Sequence, residues 1–180
     1  MRPLLSVIIV KYKSEKYLSG CLESIGKNPQ WEIIIVDNDK KNIGYGPACN
    51  KGAKKAKGKY LLFLNPDTLV LPDSLLKMIE YLETHPRVGI LGPQLLEAKR
   101  GEIIHSSSAI PTPLMAAFAF SFLDKIWKNN PWSKKYWYRG WNRESIKEVG
   151  AVFGAALMIK KSLFNQIDGF DEKFFLFWEE

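Results

Sequence analysis

The stretch Tyr60-Leu61-Leu62-Phe63-Leu64-Asn65-Pro66-Asp67-Thr68 decides the fold predicted for this chain. Its first five residues are a continuous apolar run, which is typical of a strand buried on both faces of a parallel sheet. The residues that follow are a strong turn signal, because Asn-Pro and Pro-Asp are common turn dipeptides. We therefore predict a buried strand over residues 60–64 that ends in a loop bearing the carboxylate of Asp67.

Two earlier apolar runs repeat this pattern and alternate with helices. Residues 5–10 and 32–36 are rich in β-branched side chains, and both are predicted to be buried strands. Ser14 offers an N-cap for a helix between them. The residues predicted to face inward in this helix are Tyr17, Leu18, Cys21, Leu22 and Ile25. Further helices are predicted from about residue 47 to 57 and from residue 73 to about 84.

The order strand, helix, strand, helix, strand, helix predicts the fold class. Such alternation is typical of an α/β protein with a Rossmann-like, mostly parallel central sheet flanked by helices. In the third helix the residues predicted to face inward are Leu75, Leu76, Ile79 and Leu82. Ligands of such sheets bind beyond the carboxyl ends of the strands, so functional residues are expected in the loops after residues 36 and 64.

The second half of the chain departs from this regular alternation. From about residue 106 to 148, prolines and aromatic residues interrupt the pattern, and we predict an aromatic-rich insertion within one domain. Its aromatic residues suit a packed insertion, a sugar-stacking wall or an interfacial anchor. Residues 95–96 with 103–104 are predicted to form a hairpin or a loop excursion. The other predicted elements are strands at 88–91, 152–159 and 174–178 and a helix at 161–166.

Composition narrows the classes of partner. A chain of 180 residues with 46% hydrophobic residues can form one domain with a substantial core. Its formal charge of +7 suits nucleotide diphosphates, lipid pyrophosphates or acidic membranes. Nucleic acid is not expected as a partner, because the lysines are scattered and no binding module is recognised. Lysines between residues 51 and 59 form a basic stretch, interpreted either as a solvated helix face or as a contact for anionic lipid.

Cysteine usage and apolar segments bear on localisation. Cys21 and Cys49 are too few for a disulfide framework and lack metal-ligand spacing, which favours a reduced setting. Residues 1–7 resemble a strand more than a secretory leader. The longest apolar stretch, about 114–123, is shorter than the roughly 20 residues of a membrane span. We expect a cytoplasmic protein whose membrane contact, where it occurs, is peripheral at the inner face of the cell membrane.

The run Asp37-Asn38-Asp39 directly follows a predicted strand. A carboxylate at that edge can accept hydrogen bonds from a base N–H or a ribose hydroxyl. The alternative is turn chemistry, since Asn and Asp also form tight turns. Both interpretations stay open on these residues alone.

Asn65-Pro66-Asp67-Thr68 lies at the next strand end. Mg²⁺ and Mn²⁺ take oxygen ligands and are often held by one or two carboxylates plus substrate phosphates and water. Asp67 alone could supply the protein's share of such a site. The four residues by themselves favour an ordinary turn over a metal site.

Glycines flank and begin the second predicted helix, in the segment from Asn42 to Gly52. Flexible backbone at Gly44 and free N–H groups at the helix start can approach a ligand, and Gly52 can permit close helix packing. A dinucleotide-binding fingerprint needs a third glycine where Cys49 stands, so a Rossmann oxidoreductase is disfavoured.

Glu179 and Glu180 follow the last predicted strand. A carboxylate beside an acceptor hydroxyl can act as a general base. A frayed acidic terminus is the alternative interpretation.

Together and in order, several motifs resemble family 2 glycosyltransferases of the GT-A fold, in particular their rhamnosyltransferase-like branch. The resemblance covers nearly the whole chain. The motifs are residues 6–12, Val36-Asp37-Asn38, residues 42–52, Leu62-Phe63-Leu64-Asn65-Pro66-Asp67-Thr68, residues 154–159 and residues 169–175. Each is weak alone, but their shared order is specific.

The resemblance implies roles for individual residues. Asp67 is implied as the metal ligand of a variant D-x-D motif whose first position is Asn65, with Mg²⁺ or Mn²⁺ as cofactor. Glu179-Glu180 matches a Glu-Asp motif, which implies Glu180 as the catalytic base with Glu179 beside it. The residues expected to contact the nucleotide are Asp37, Asn38, Asn42, Gly44, Asn50 and Asn65.

These roles define the predicted function. We expect an inverting glycosyltransferase that moves a sugar from a UDP- or dTDP-sugar, such as dTDP-rhamnose, to a glycan or lipid-linked acceptor. One GT-A domain is expected over 1–180, with a nucleotide-sugar-binding half at 1–92 and an acceptor and catalytic half at 93–180 that ends early. The alternatives are a nucleotide-binding module without complete transferase activity and a nucleotidyltransferase.

Overall fold

The computed structural model describes residues 2–175. Its strands are β1 (Leu5–Lys11), β2 (Trp31–Asp37), β3 (Tyr60–Leu64), β4 (Ile90–Leu91), β5 (Leu95–Leu96), β6 (Ile103–Ile104), β7 (Ser107–Ser108), β8 (Ala151–Val152) and β9 (Ala156–Lys160). Its helices are α1 (Glu15–Ile25), α2 (Tyr45–Lys55), α3 (Ser74–Thr84), α4 (Pro113–Ala119), α5 (Leu123–Ile126), α6 (Pro131–Tyr136) and α7 (Lys161–Gln166).

Five strands form the central sheet in the order β2-β1-β3-β9-β4. β1 pairs in parallel with both β2 and β3, whereas β9 runs antiparallel between β3 and β4. The sheet is therefore mostly parallel, and the predicted α/β class is confirmed. Because β1, β2 and β3 run in one direction, the loops after them emerge at the same edge of the sheet.

The core of this sheet is built around β3. All five of its residues are buried, and its neighbour β1 is buried from Leu5 to Val10. Helix α2 packs closely on the sheet at Gly52, where an added Cβ would lie 2.5 Å from Ile8 Cγ2 and 3.1 Å from Val36 Cγ2. Gly52 therefore serves close helix packing, as its position in the sequence indicates.

Three predictions of burial are wrong. β2 was predicted to be buried on both faces, but within the described chain it pairs only with β1, and Ile33 and Ile35 are 39% and 43% exposed. Tyr17 and Leu76 were predicted to face inward and are 47% and 48% exposed. Each belongs to a helix that buries a narrower stripe than its apolar residues suggest.

The chain divides into two compact units, residues 1–93 with 154–180 and residues 94–153. In the second unit, the hairpin of β5 with β6 forms as predicted, and β7 pairs with β8. Its aromatic residues pack on one another: the Phe118 and Trp132 rings stack at 4.4 Å, and Phe120 meets Tyr136 at 5.1 Å. The prediction of a single domain with halves at 1–92 and 93–180 stays a prediction.

Three predicted strands differ from the structure. The strand predicted at 88–91 is shorter, because only Ile90 and Leu91 pair with β9. The strand at 152–159 is two strands, β8 and β9, because β8 joins a small sheet with β7 and β9 joins the central sheet. Of the strand predicted at 174–178, Phe174 and Phe175 are not in a strand, and the other residues lie outside the described chain. Across residues 2–175, none of the helices has the length and apolar character needed to cross a bilayer.

Candidate functional site

The carboxyl ends of β1 and β2 bring together one cation and three carboxylates. Lys11 and Asp37 are register partners on the two strands. The Lys11 ammonium lies 3.1 Å from Asp37 Oδ2, 2.8 Å from Asp39 Oδ2 and 3.1 Å from Glu15 Oε1. Asp37 was predicted from the sequence as a site residue. Lys11 lies in the motif of residues 6–12 but was given no role, because only the pairing of β1 with β2 brings Asp37 beside it.

Hydrogen bonds in this cluster shift the pKa values of Asp37, Asp39 and Lys11. The Asp39 backbone N–H and the Lys11 ammonium both donate to Asp37 and lower the pKa of its carboxyl group. Lys11, followed by the Lys13 backbone N–H, likewise lowers the pKa of Asp39. Asp39, Glu15 and Asp37 in turn raise the pKa of Lys11. Asp37, Asp39 and Lys11 are therefore ionised near neutral pH, and Asp37 is held as an acceptor of hydrogen bonds.

Asn38 organises the loop that leads from β2 to α2. Its buried side chain donates to Asn42 Oδ1 at 3.0 Å and to the Gly44 carbonyl at 3.3 Å, and it accepts from the Ile43 N–H at 3.1 Å. Asn42 Oδ1 also accepts from the Gly44 N–H. The amide groups of Asn38 and Asn42 therefore shape this loop, and their predicted contact with a nucleotide stays a prediction.

Gly44 lies against the last described residues of the chain. Its φ of 95° favours glycine, and an added Cβ would lie 2.8 Å from the Phe175 carbonyl oxygen. The next residue, Tyr45, donates its backbone N–H to that oxygen at 3.0 Å. The start of α2 thus holds the segment that leads toward Glu179 and Glu180.

Asn50 connects α2 to the acidic turn after α7. Its side-chain amide donates to the Phe170 carbonyl at 2.9 Å and to Glu172 Oε1 at 3.0 Å. Its oxygen accepts from the Phe170 N–H at 3.0 Å. Asn50 and this turn line a surface depression of about 440 Å³. The structure thus gives Asn50 a bracing role, while its predicted nucleotide contact stays a prediction.

Asp67 lies in the turn that follows β3. The Thr68 N–H donates to the Asn65 carbonyl, and the Asn65 N–H donates to the Ala155 carbonyl of the segment before β9. The first bond closes the turn and the second ties its start to the segment before β9, while the Asp67 side chain is exposed. No group of residues 2–175 forms an ion pair or side-chain hydrogen bond with the Asp67 carboxylate, so it is available to a ligand from solution.

Cys21 of α1 lies beneath this turn. Its Sγ is 3.7 Å from the Asn65 carbonyl oxygen, and the residue is fully buried. Burial, with a smaller contribution from the negative charge of Asp67, raises the pKa of the Cys21 thiol to about 11. The thiol is therefore neutral at physiological pH and fills space in the core.

The model of glycosyl transferase family 2 matches residues 38–165, most of the chain. The chain belongs to this family. The N-acetylglucosaminyl-diphospho-decaprenol L-rhamnosyltransferase of Mycobacterium tuberculosis is 29% identical over 151 residues, covering 77% of this chain and 48% of that protein. The chain thus spans about half the length of this curated relative.

Solved structures of other glycosyltransferases share the fold. A mannosyltransferase from Pyrobaculum calidifontis, in complex with GDP-Man and Mn²⁺, has a TM-score of 0.57 at 16% identity, covering 96% of this chain and 48% of its own. TarS 1-349 from S. aureus, in complex with UDP, has a TM-score of 0.58 at 18% identity, covering 98% and 52%. The predicted GT-A fold is confirmed.

Only part of the predicted site lies within residues 2–175, which the structure describes. Asp37 is the last residue of β2, and Asp67 lies in the turn after β3; these two strands flank β1 in the sheet. Glu179 and Glu180 lie outside the described residues, so the predicted base has no structural description. Within residues 2–175, no three His, Cys, Asp or Glu side chains are grouped as a metal-binding cluster. The individual roles of these residues stay predictions.

Proposed function

We propose that the chain is the donor-binding and catalytic part of an inverting glycosyltransferase that uses a nucleoside-diphosphate sugar. The observation that supports this most directly is a pair of carboxylates at one sheet edge, with Asp37 at the end of β2 and Asp67 in the turn after β3. The sheet order β2-β1-β3 separates them by one strand. A nucleotide bound across β1 could meet Asp37 at one end and Asp67 at its phosphates.

Asp37 is proposed to bind the nucleoside. Lys11 and the Asp39 N–H keep its carboxylate ionised, and an ionised carboxylate accepts hydrogen bonds without donating any. A base N–H and a ribose hydroxyl are the matching donors on a nucleotide. Uridine and thymidine each offer a base N–H, which agrees with a UDP- or dTDP-sugar donor.

Asp67 is proposed to hold a divalent cation, Mg²⁺ or Mn²⁺. Its exposed carboxylate fits a site in which the protein supplies one oxygen ligand and phosphates and water supply the others. When bound, such a cation would neutralise the negative charge of the departing diphosphate. Asn65 lies in the same turn and is proposed to support the site through its position.

Glu180, with Glu179 beside it, is proposed to supply the base. Its carboxylate takes the proton of the acceptor hydroxyl, and the hydroxyl oxygen forms a bond to the anomeric carbon of the sugar. The bond from that carbon to the diphosphate oxygen breaks, and its electron pair leaves with the nucleoside diphosphate. A single displacement of this kind inverts the anomeric configuration.

The sugar and acceptor are proposed from the family relatives. The M. tuberculosis relative is named as a rhamnosyltransferase acting on a lipid-linked diphospho-sugar. Rhamnose as donor sugar and a lipid-linked or polysaccharide acceptor hydroxyl therefore form the first choices to test. Such an acceptor agrees with a cytoplasmic protein that works at the inner face of the cell membrane.

Release of nucleoside diphosphate tests this proposal. UDP- and dTDP-sugars are incubated with the chain, Mn²⁺ and acceptor extracts, and UDP or dTDP is measured for the parent, Asp67→Ala and Glu80→Gln. Glu80 is an exposed acid in the middle of α3, so its variant controls for loss of charge. We expect Asp67→Ala to lose at least roughly a hundredfold in rate, as removal of one charge-stabilising group commonly does, and Glu80→Gln to match the parent.

Equal rates for Asp67→Ala and the parent would exclude the metal role of Asp67. Pyrophosphate as the product would indicate a nucleotidyltransferase. Nucleotide binding without any transfer would indicate a binding module.

A further inference from the structure

A short helix in the second unit presents an apolar surface to solvent. Phe122, Ile126 and Trp127, which we name the apolar tip, are 67%, 75% and 52% exposed. The Ile126 N–H donates to the Phe122 carbonyl at 3.2 Å, so Phe122, the N-cap of α5, and Ile126, its last residue, are one helical turn apart on the same side. Large apolar side chains that share a face and remain exposed often mark an interaction surface.

The apolar tip is held in place by the structure beneath it. The Trp127 ring lies 5.9 Å from the Trp132 ring of α6, and the Trp127 carbonyl accepts from the buried side chain of Asn130 at 2.9 Å. On α5, Asp124 forms a two-point ion pair with Arg139, with distances of 2.6 and 3.0 Å. The exposed side chains therefore project from a fixed base.

Residues 103–143, which include the apolar tip, carry an excess of positive charge. Asp124 is the only acidic residue between positions 103 and 143, and its carboxylate is already paired with Arg139. The exposed lysines of this region are Lys125, Lys128, Lys134 and Lys135. None of them takes part in an ion pair within residues 2–175.

We propose that the apolar tip inserts into the surface of a membrane that contains anionic lipids, with these lysines at the headgroups. Apolar and aromatic residues beside lysines are the composition of interfacial membrane elements, which bury their apolar side by about 5–10 Å. Trp is suited to the boundary because its ring is apolar and its N–H is polar. A second copy of the chain suits the surface less well, because like-charged lysines would face one another.

Co-sedimentation with lipid vesicles tests this proposal. The 180-residue chain is mixed with vesicles of phosphatidylcholine alone or of equal parts phosphatidylcholine and phosphatidylglycerol. The parent is expected to bind the anionic vesicles and to be released by high salt. The variant Phe122→Ser/Ile126→Ser is expected to bind at least about tenfold more weakly, since it lacks two apolar side chains that the parent would bury in the membrane. Lys125→Gln/Lys128→Gln is expected to bind roughly thirtyfold more weakly.

Matched variants of the first unit are the controls. Leu76→Ser/Ile167→Ser replaces two side chains that are 48% and 52% exposed there. Lys54→Gln/Lys55→Gln removes two exposed lysines at the end of α2, the other basic surface of the chain. Both controls should bind as the parent does, and circular dichroism should show that every variant is folded.

Three results of the vesicle experiment would overturn the proposal: no binding of the parent to anionic vesicles, equal loss in the control and tip variants, or loss confined to the α2 lysine variant. Sedimentation velocity without lipid tests whether a second copy of the chain binds the apolar tip instead. A parent dimer that becomes a monomer in Phe122→Ser/Ile126→Ser would assign the tip to a second copy and also overturn the proposal. A parent that sediments as a monomer, together with binding to anionic vesicles, supports it.

Discussion

Replacing Gly52 with alanine tests how closely α2 lies on the central sheet. The new Cβ would lie 2.5 Å from Ile8 Cγ2, and that side chain is 1% exposed and β-branched, so it has little freedom to rotate away. Overpacking of this kind costs about 1–3 kcal/mol, and a contact this short places the cost in the upper part of that range. Alanine recovers about 1 kcal/mol over glycine through helix propensity. The expected net loss is about 1–2 kcal/mol.

Gly20→Ala is the matched control, because Gly20 is also inside a helix. There the added Cβ would make an ordinary contact of 3.6 Å with Leu69 Cδ2, so the propensity gain is not offset. We expect a gain of about 1 kcal/mol. Urea denaturation followed by circular dichroism should move the two midpoints in opposite directions. A Gly52→Ala variant as stable as Gly20→Ala would refute the close packing of α2 on Ile8.

Three further predictions concern the site. Lys11→Met should raise the pKa of Asp37, which in the parent lies below its ordinary 3.8, so the variant should lose less stability than the parent as the pH falls below about 4. Carboxyl NMR titration measures the pKa of Asp37, and an unchanged value would contradict the ion pair. Between pH 8 and 10.5 the parent should lose about 2 kcal/mol of folding stability that Cys21→Ala does not lose. The reason is that the pKa of the Cys21 thiol is about 11 in the folded protein and 9.0 in an ordinary thiol, so ionisation at high pH favours unfolding. Equal losses in urea titrations of the two proteins would exclude this effect. Asn50→Ala should cost about 2–4 kcal/mol by leaving two buried backbone groups of Phe170 without partners; if Asn50 instead contacts the nucleotide alone, calorimetry should show weaker binding at unchanged stability.

Local signals predicted much of the fold. β3, the hairpin of β5 with β6, and α7 have the predicted bounds, because continuous apolar runs and turn residues mark them within the sequence. The exposure of Ile33 and Ile35 could not be predicted in this way. It depends on the place of β2 in the sheet order, which is set by contacts with distant segments.

The candidate site was predictable in part. Asp37 and Asp67 were found because each follows an apolar strand, a pattern visible in sequence. Lys11 gains its role only when β2 brings Asp37 and Asp39 beside it. Asn50 likewise acquires its bracing contacts from a turn 120 residues away in the chain. Neither set of contacts can be predicted from the neighbouring residues in the sequence, because both depend on tertiary structure.

The most direct test of the proposed function is calorimetric titration of UDP and dTDP into the chain with and without Mn²⁺, for the parent and Asp67→Asn. We predict that Mn²⁺ strengthens binding of one of these nucleotides to the parent by at least about tenfold, equivalent to about 1.4 kcal/mol. We also predict that Asp67→Asn binds that nucleotide equally with and without the metal. A Mn²⁺ effect of the same size in the parent and in Asp67→Asn would contradict this prediction.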